Sequence, residues 1–299
     1  MKNLILLSIL LIALTSLCAY FPLEIPQIPS SYQQQIGVNR VVTESPDVFF
    51  SIEPTSSEIT SGRDIQILFE IRNKQMYDLN DVFLDAYDHP CFSSGTFSEN
   101  IGTIKGNRTI ITTWKLKSET DLFMDKNCRI KFSLNYTANY SYFQDIAVLS
   151  DSEYYQRELA GTLKDIPIQS SSSISPLGIS IEFSEDQPLL GKDNYYMYIN
   201  YFNTGNGFIT VNEGDITLKT PTNINIVQAD GKYCGGDYKQ IDANTYQLNK
   251  SLIFLKGKAN PSTCNFTTSD VSTIDIKSLS LITNYKYLLD NSILVRVKK

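Results

Sequence analysis

Asp64-Ile65-Gln66-Ile67-Leu68-Phe69-Glu70-Ile71-Arg72-Asn73 decides the fold class of this chain. Ile65, Ile67, Phe69 and Ile71 fall on one side of an extended backbone, and Gln66 and Glu70 fall on the other. That period of two belongs to a half-buried strand. Runs of the same kind flank it: Val48–Glu53, Asp81–Tyr87, Thr109–Lys117, Arg129–Tyr136 and Tyr142–Leu149. Further on come Ile179–Phe183, Tyr195–Phe202, Asp215–Lys219, Ile224–Val227, Tyr246–Leu255, Thr273–Ile282 and Ile293–Val297, separated by turn signals such as Thr204-Gly205-Asn206-Gly207. Eighteen Tyr and fifteen Phe, with many Thr, Ser and Ile, suit pleated surfaces better than helices. One short helix is expected over Asp151–Leu159, acidic at its start and ending near Gly161. The fold class is all-β.

Two breaks divide the strands. Residues 20–46 carry Pro22, Pro26 and Pro29 and a polar run without period, which predicts an extended stalk. Residues 151–176 combine the helix with the serine-rich stretch Gln169–Pro176, a flexible linker by composition. That leaves one body over 47–150 and another over 177–299. The two are alike in outline. Each has a Gly (Gly62, Gly191) before a strongly alternating strand that ends in Asn (Asn73, Asn203). Each then has two cysteines and an Asn-Tyr-x-Tyr, at Asn139–Tyr142 and Asn284–Tyr287. About seven short strands per hundred residues fits a sandwich.

The run Pro188–Gly207, with Gly191, the alternating Tyr195–Asn203 and then Asn203-Thr204-Gly205, resembles the opening of CARDB-type and S-layer-associated Ig-like domains of archaeal and bacterial surface proteins. Ser61–Asn73 followed by Asp81-Val82-Phe83-Leu84 is a second, shorter version. The resemblance covers about thirty residues per body. It implies two tandem Ig-like antiparallel β-sandwiches on a cell surface, with adhesive or structural roles; the cysteines are not part of that pattern.

The amino terminus is the most specific signal. Lys2 precedes an apolar run from Leu4 to Leu14 and the short-chain stretch Thr15–Ala19, the order of a secretory signal peptide. Residues 1–19 are therefore a leader helix, either cleaved after Ala19 or kept as a membrane anchor; lipidation at Cys18 is a third option, against which Leu17 is a poor match. All three place the remainder outside the cytoplasm. Four further cysteines, Cys91, Cys128, Cys234 and Cys264, contain no C-x-x-C pair, and in an exported chain they read as cystines. Three connectivities exist; one pair per half, Cys91–Cys128 and Cys234–Cys264, is the expectation. Sequons mark Asn107, Asn135, Asn139, Asn249 and Asn265 as glycosylation candidates.

Catalytic and metal chemistry finds little footing. The formal charge of −6 opposes nucleic-acid binding, which needs clustered cations. His89 is the only histidine, and its neighbour Cys91 is a cystine candidate. Calcium at the junction of the two bodies could draw on Asp78, Asp81, Asp85 and Asp88, but no D-x-D-x-D-G is present. No catalytic residue, metal ligand or cofactor is expected. Tyrosines are the candidate contact residues: Tyr136, Tyr140 and Tyr142, which lie among sequons, are expected to be partly exposed. Tyr195, Tyr196, Tyr198 and Tyr201 read first as a central strand. The functional expectation is a non-catalytic surface protein that contacts other surface proteins or glycans, and the membrane if the leader is kept. A carbohydrate-binding or carbohydrate-active protein is the first alternative, a filament or lattice subunit the second.

Overall fold

In the computed structural model, which describes residues 40–299, well over half of the described residues lie in strands. The first half supplies β1 (Val41–Glu44), β2 (Val48–Pro54), β3 (Glu58–Thr60), β4 (Asp64–Asn73), β5 (Leu79–Asp88), β6 (Phe92–Gly95), β7 (Ser98–Ile104), β8 (Thr109–Ser118) and the long β9 (Lys126–Leu149). A helix, α1 (Asp151–Ala160), leads to β10 (Ser170–Ser172), β11 (Leu177–Phe183), β12 (Leu189–Leu190), β13 (Asn194–Asn203), β14 (Phe208–Thr210), β15 (Ile216–Lys219) and β16 (Ile224–Ile226). Short β17 (Gln228–Ala229) and β18 (Lys232–Tyr233) precede β19 (Tyr238–Asp242), β20 (Thr245–Leu248), β21 (Ser262–Thr268) and the long β22 (Ile274–Lys298).

Three sheets result. Two small ones, ordered β1-β2-β4-β8-β6 and β11-β13-β21-β16, share one large sheet ordered β17-β18-β19-β20-β15-β22-β9-β5-β7. At its centre β9 and β22 pair antiparallel without interruption, from Ile274 opposite Leu149 to Val297 opposite Lys126. At about 3.4 Å per residue that ribbon is roughly 80 Å long. On β9, residues 128, 130, 132, 134, 136, 138, 140 and 142 are buried; on β22, Leu279, Leu281, Tyr285, Tyr287, Leu289, Ile293, Val295 and Val297 are. Neither strand changes phase, so one face of the ribbon forms the core wall of both lobes. In the first lobe the Phe69 ring of β4 packs tilted against Trp114 of β8 at 4.8 Å and edge-on against Phe132 of β9 at 5.2 Å. In the second, the hydroxyls of Tyr201 on β13 and Tyr238 on β19 meet at 2.9 Å across the sheets.

The division at 151–176 therefore does not separate two self-contained bodies. Each half contributes the last strand of its lobe and then continues into the other lobe. Beyond Asn284, β22 lies in the first lobe, where its end pairs with β3; beyond Asn139, β9 lies in the second, where its end pairs with β12. Asn139 stands directly opposite Asn284. These are the same position of the two Asn-Tyr-x-Tyr motifs, so the halves are related by a pseudo-twofold axis through this pair. The repeat holds in detail. Asn73 Nδ2 donates to Tyr77 O (2.7 Å) and its Oδ1 accepts from Gln75 N (2.9 Å); Asn203 Nδ2 donates to Gly207 O (2.8 Å) and its Oδ1 accepts from Gly205 N (3.0 Å). Both asparagines close the turn after the central strand of a small sheet, and both face the first residue of the preceding strand, Val48 or Leu177.

Other expectations meet mixed outcomes. The helix forms, with Ser150 capping Glu153 N and Gly161 in a left-handed conformation at its end. The stalk reading ends too late, because β-branched Val41-Val42-Thr43 pairs with β2. The serine run is not a free linker, since Ser170–Ser172 add to β9 at Tyr142–Gln144. The strand expected over Tyr246–Leu255 stops at Leu248. The leader, Cys18 and the stalk before residue 40 lie outside the described residues.

A shared ribbon predicts one unfolding transition. Leu281 is fully buried in the second lobe, and Trp114, the only tryptophan, is buried in the first. Leu281→Ala should cost about 2–5 kcal/mol and move the Trp114 fluorescence transition and the far-UV dichroism transition together. Separate shifts of the two probes would mean independent lobes.

Candidate functional site: the open face of the shared sheet

The tyrosines expected as contact residues are not on the surface. Tyr136, Tyr140 and Tyr142 are all buried, because they occupy the core phase of β9. Tyr136 belongs to a buried polar cluster around Asp47, at the start of β2. The Asp47 carboxyl accepts from Ser45 Oγ (2.6 Å), from Tyr136 OH (2.8 and 2.9 Å) and from Tyr285 OH (2.8 Å), with Gln75 Nε2 at 3.3 Å. Burial raises the Asp47 pKa above the ordinary carboxylate value, and the hydroxyl donors offset this only in part. Burial and the Asp47 charge hold Tyr136 and Tyr285 well above ordinary phenol values.

Tyr140 and Tyr142 have a different task. Among the described residues β11 is an edge strand in sheet order, with no counterpart of β1 beside it. Outward amides there are closed by hydroxyls: Leu177 N donates to Ser175 Oγ (2.9 Å) and Ile179 N to Tyr140 OH (3.2 Å), while Tyr142 OH donates to Gln144 Oε1 (2.9 Å). These side chains close an edge that would otherwise invite another strand. On β13, Tyr195 and Tyr201 are buried while Tyr196 and Tyr198 face solvent, the outcome of a central strand in an open sheet.

Both cystines form as expected, Cys91–Cys128 and Cys234–Cys264. The first ties the turn after β5 to β9; the second ties the turn after β18 to β21, joining the large sheet to a small one. His89 stacks on Phe97 at 3.8 Å, with Nδ1 3.3 Å from Phe92 O, a packed loop residue. Among the described residues no group of His, Cys, Asp and Glu is arranged to hold a metal. The sequons fall at different places. Asn107 is exposed in a turn with φ +55°, and Asn249 is exposed after β20. Asn265 is half-buried on β21, with its amide oxygen buried and unpartnered. Asn135 and Asn139 project from the open face of β9.

That open face is the candidate site. Residues opposite one another in antiparallel strands point to the same side. Phe83 on β5 is opposite Asn135 on β9, which is opposite Leu288 on β22, which is opposite Phe208 on β14. The row spans three strand spacings, about 14 Å. A groove of ≈ 390 Å³ runs over it, floored by Asn135, Thr137 and Leu288 and walled by Phe208. A second hollow of ≈ 380 Å³ adjoins it beyond Phe208 and Leu288, with Tyr87, Ser133 and Asp290. Phe208 is 66% exposed and Tyr87 51% exposed. Phe208 is nonetheless firmly placed. Gly207 N donates to Tyr287 OH at 2.6 Å, and a Cβ on Gly207 would stand 2.2 Å from Leu288 O, so the backbone lies directly on its neighbour.

Across the pseudo-twofold, Leu288 corresponds to Phe143. There another groove of ≈ 330 Å³ lies between Phe143, Met76, Tyr77, Ile174 and the serines of β10. The two grooves have diverged: the first is floored by an amide and hydroxyls, the second is largely apolar. Sequence reasoning passed over Phe83, Tyr87 and Phe208. The first two were signalled, because the core phase Val82, Leu84, Ala86 leaves Phe83 and Tyr87 on the opposite face. Phe208 follows a Gly-Asn-Gly turn and had no local signal, since its neighbours come from β22.

No protein-family model matches the sequence, and no curated protein matches it. Among solved structures, the chain is similar to Escherichia coli alpha-2-macroglobulin activated by porcine elastase at 8% identity and a TM-score of 0.21, over 84% of this chain and 33% of that one. A superposition of that quality transfers neither fold nor function. The chain spans about a third of that protein's length.

Two predictions follow from this geometry. With the folded pKa of Asp47 raised, the native protein takes up its proton at a higher pH than the unfolded chain does. Asp47 thus adds stability as pH falls towards the unfolded value of 3.8 and none at neutral pH. Urea midpoints of wild type minus Asp47→Asn should rise on acidification from pH 7 to pH ~4; a difference that falls would show an ionised, well-solvated carboxylate. For the cystines, the paired change Cys91→Ser with Cys128→Ser should cost about 3–4 kcal/mol by the loop-entropy argument, read as a lower denaturant midpoint.

Proposed function

We propose that this chain is an exported, non-catalytic cell-surface protein that acts by binding or structural display through the open face of its shared sheet. The observation that carries the reading is the pair of cystines, one in each lobe, which belong to an oxidising compartment. The leader-like residues 1–19 support it independently. The only histidine is taken up in loop packing, which favours a structural role over a catalytic one. Among the described residues no helix is long and apolar enough to cross a membrane, so attachment would come from residues 1–19 or from a partner.

A carbohydrate-binding reading has one specific observation in its favour: Phe208 walls a groove lined by Asn135, Thr137 and Thr210, and Tyr87 lies in the hollow just beyond it. Aromatic faces beside hydrogen-bonding groups suit sugars. A lattice built by strand addition is less favoured at β11, where hydroxyls already occupy the outward amides.

Fractionation of native cells with intact-mass analysis tests the reading. Recovery from the envelope or medium with four fewer thiol hydrogens than the reduced chain is the expected result. Cytosolic protein with free thiols would reject it.

A further inference from the structure

We infer that Asn135 carries an N-linked glycan whose first sugar packs into the groove beside Phe208. The inference rests on the export reading, since the modification requires a secretory route. Sequence alone ranks the five sequons equally, and the fold separates them. Asn135 and Thr137 stand two apart on one strand, so acceptor and hydroxyl both line the same groove. The closest hydrogen-bond partner of the Asn135 amide nitrogen, Ser133 Oγ, is 3.5 Å away, which leaves the nitrogen free to be substituted. Its neighbours in the row are Phe83 on one side and Leu288 and then Phe208 on the other.

None of the other sites combines these features. Asn139 faces Asn284 across the pseudo-twofold axis, without an aromatic residue in its row. Asn265 has its amide oxygen turned into the sheet. Asn107 and Asn249 project from turns. The backbone before Phe208 is held on Tyr287 by Gly207, and the Phe208 ring is exposed. A sugar attached at Asn135 presents its C–H face to that ring and its hydroxyls to solvent, covering apolar surface that the protein leaves bare.

The chemistry is a transfer from a lipid-linked phospho-oligosaccharide by the host's transferase. The Asn135 amide nitrogen forms a bond to the anomeric carbon as the bond from that carbon to the donor phosphate oxygen breaks. The amide proton passes to a base, and the lipid phosphate leaves.

Glycopeptide mapping of the protein from its native cells, with thermal unfolding of Phe208→Ala in native and Asn135→Gln backgrounds, tests it. A glycan on Asn135, and a Tm loss from Phe208→Ala roughly twice as large when the glycan is present, is the expected result. Thr137→Ala, which removes the sequon and keeps Asn135, should behave as Asn135→Gln does and guards against misfolding of either. Exported protein with both cystines and an unmodified Asn135 overturns the inference and leaves the export reading intact. Cytosolic protein with free thiols overturns both. A Phe208→Ala effect that is equal in both backgrounds removes the packing, as does a dimer that dissociates on Phe208→Ala, which would assign the groove to a second copy.

Discussion

Everything in this molecule hangs on the antiparallel pairing of β9 with β22. Each strand is flanked on its free side by three shorter ones, β5, β10 and β12 along β9 and β15, β14 and β3 along β22. Each presents one unbroken apolar face to both lobes. A one-residue slip would turn that face to solvent in both lobes at once, so register here is set by two cores together. Asp47 and its hydroxyl donors sit where the chain enters the first lobe and reach Tyr136 on one long strand and Tyr285 on the other. A buried polar group that must find all its partners adds orientation to the apolar contacts, which have none.

Much of the local structure was legible. The alternation in Ile65–Ile71 gave the central strand and its inner face, and the cysteine distribution gave both cystines. The turn asparagines Asn73 and Asn203 marked an internal repeat that the hydrogen bonds bear out. What the residues hid was continuity. Asn139 falls between the strands expected over Arg129–Tyr136 and Tyr142–Leu149, and Asn284 between those over Thr273–Ile282 and Ile293–Val297, because polar residues in sequence look like breaks; in the fold they are outward positions of strands that pass straight on. Long-range pairing leaves no local trace, so neither the exchange of strands between lobes nor the Phe83–Phe208 row could be found by period alone. The tyrosines misled for a related reason. Tyr136, Tyr140 and Tyr142 are amphipathic enough for either face, and the polar ends that suggested solvent are used inside, on Asp47 and on the edge of β11.

The same division of labour explains why the surface reading moves to other aromatics. Inward tyrosines hold the halves together and close an edge. Outward phenylalanines, Phe83 on β5 and Phe208 on β14, face solvent on the other side of the same sheet. Two grooves lie at related places along the ribbon, one lined by Asn135 and Thr137 beside β14 and the other by Phe143 and Met76 beside β10. Duplication followed by divergence of one outward face is an economical way for a rigid body to acquire two unlike surfaces.

The exchange of strands also fixes an order of events during synthesis. Residues 284–298 add the last strand of the first lobe, so that lobe lacks one strand until they have emerged. β4 and β8 can pack on β9 before then, and Cys91 can meet Cys128, while the free side of β9 waits for its partner. An unpaired edge of that length, held open until the far end of the chain arrives, is the point at which assembly can go astray.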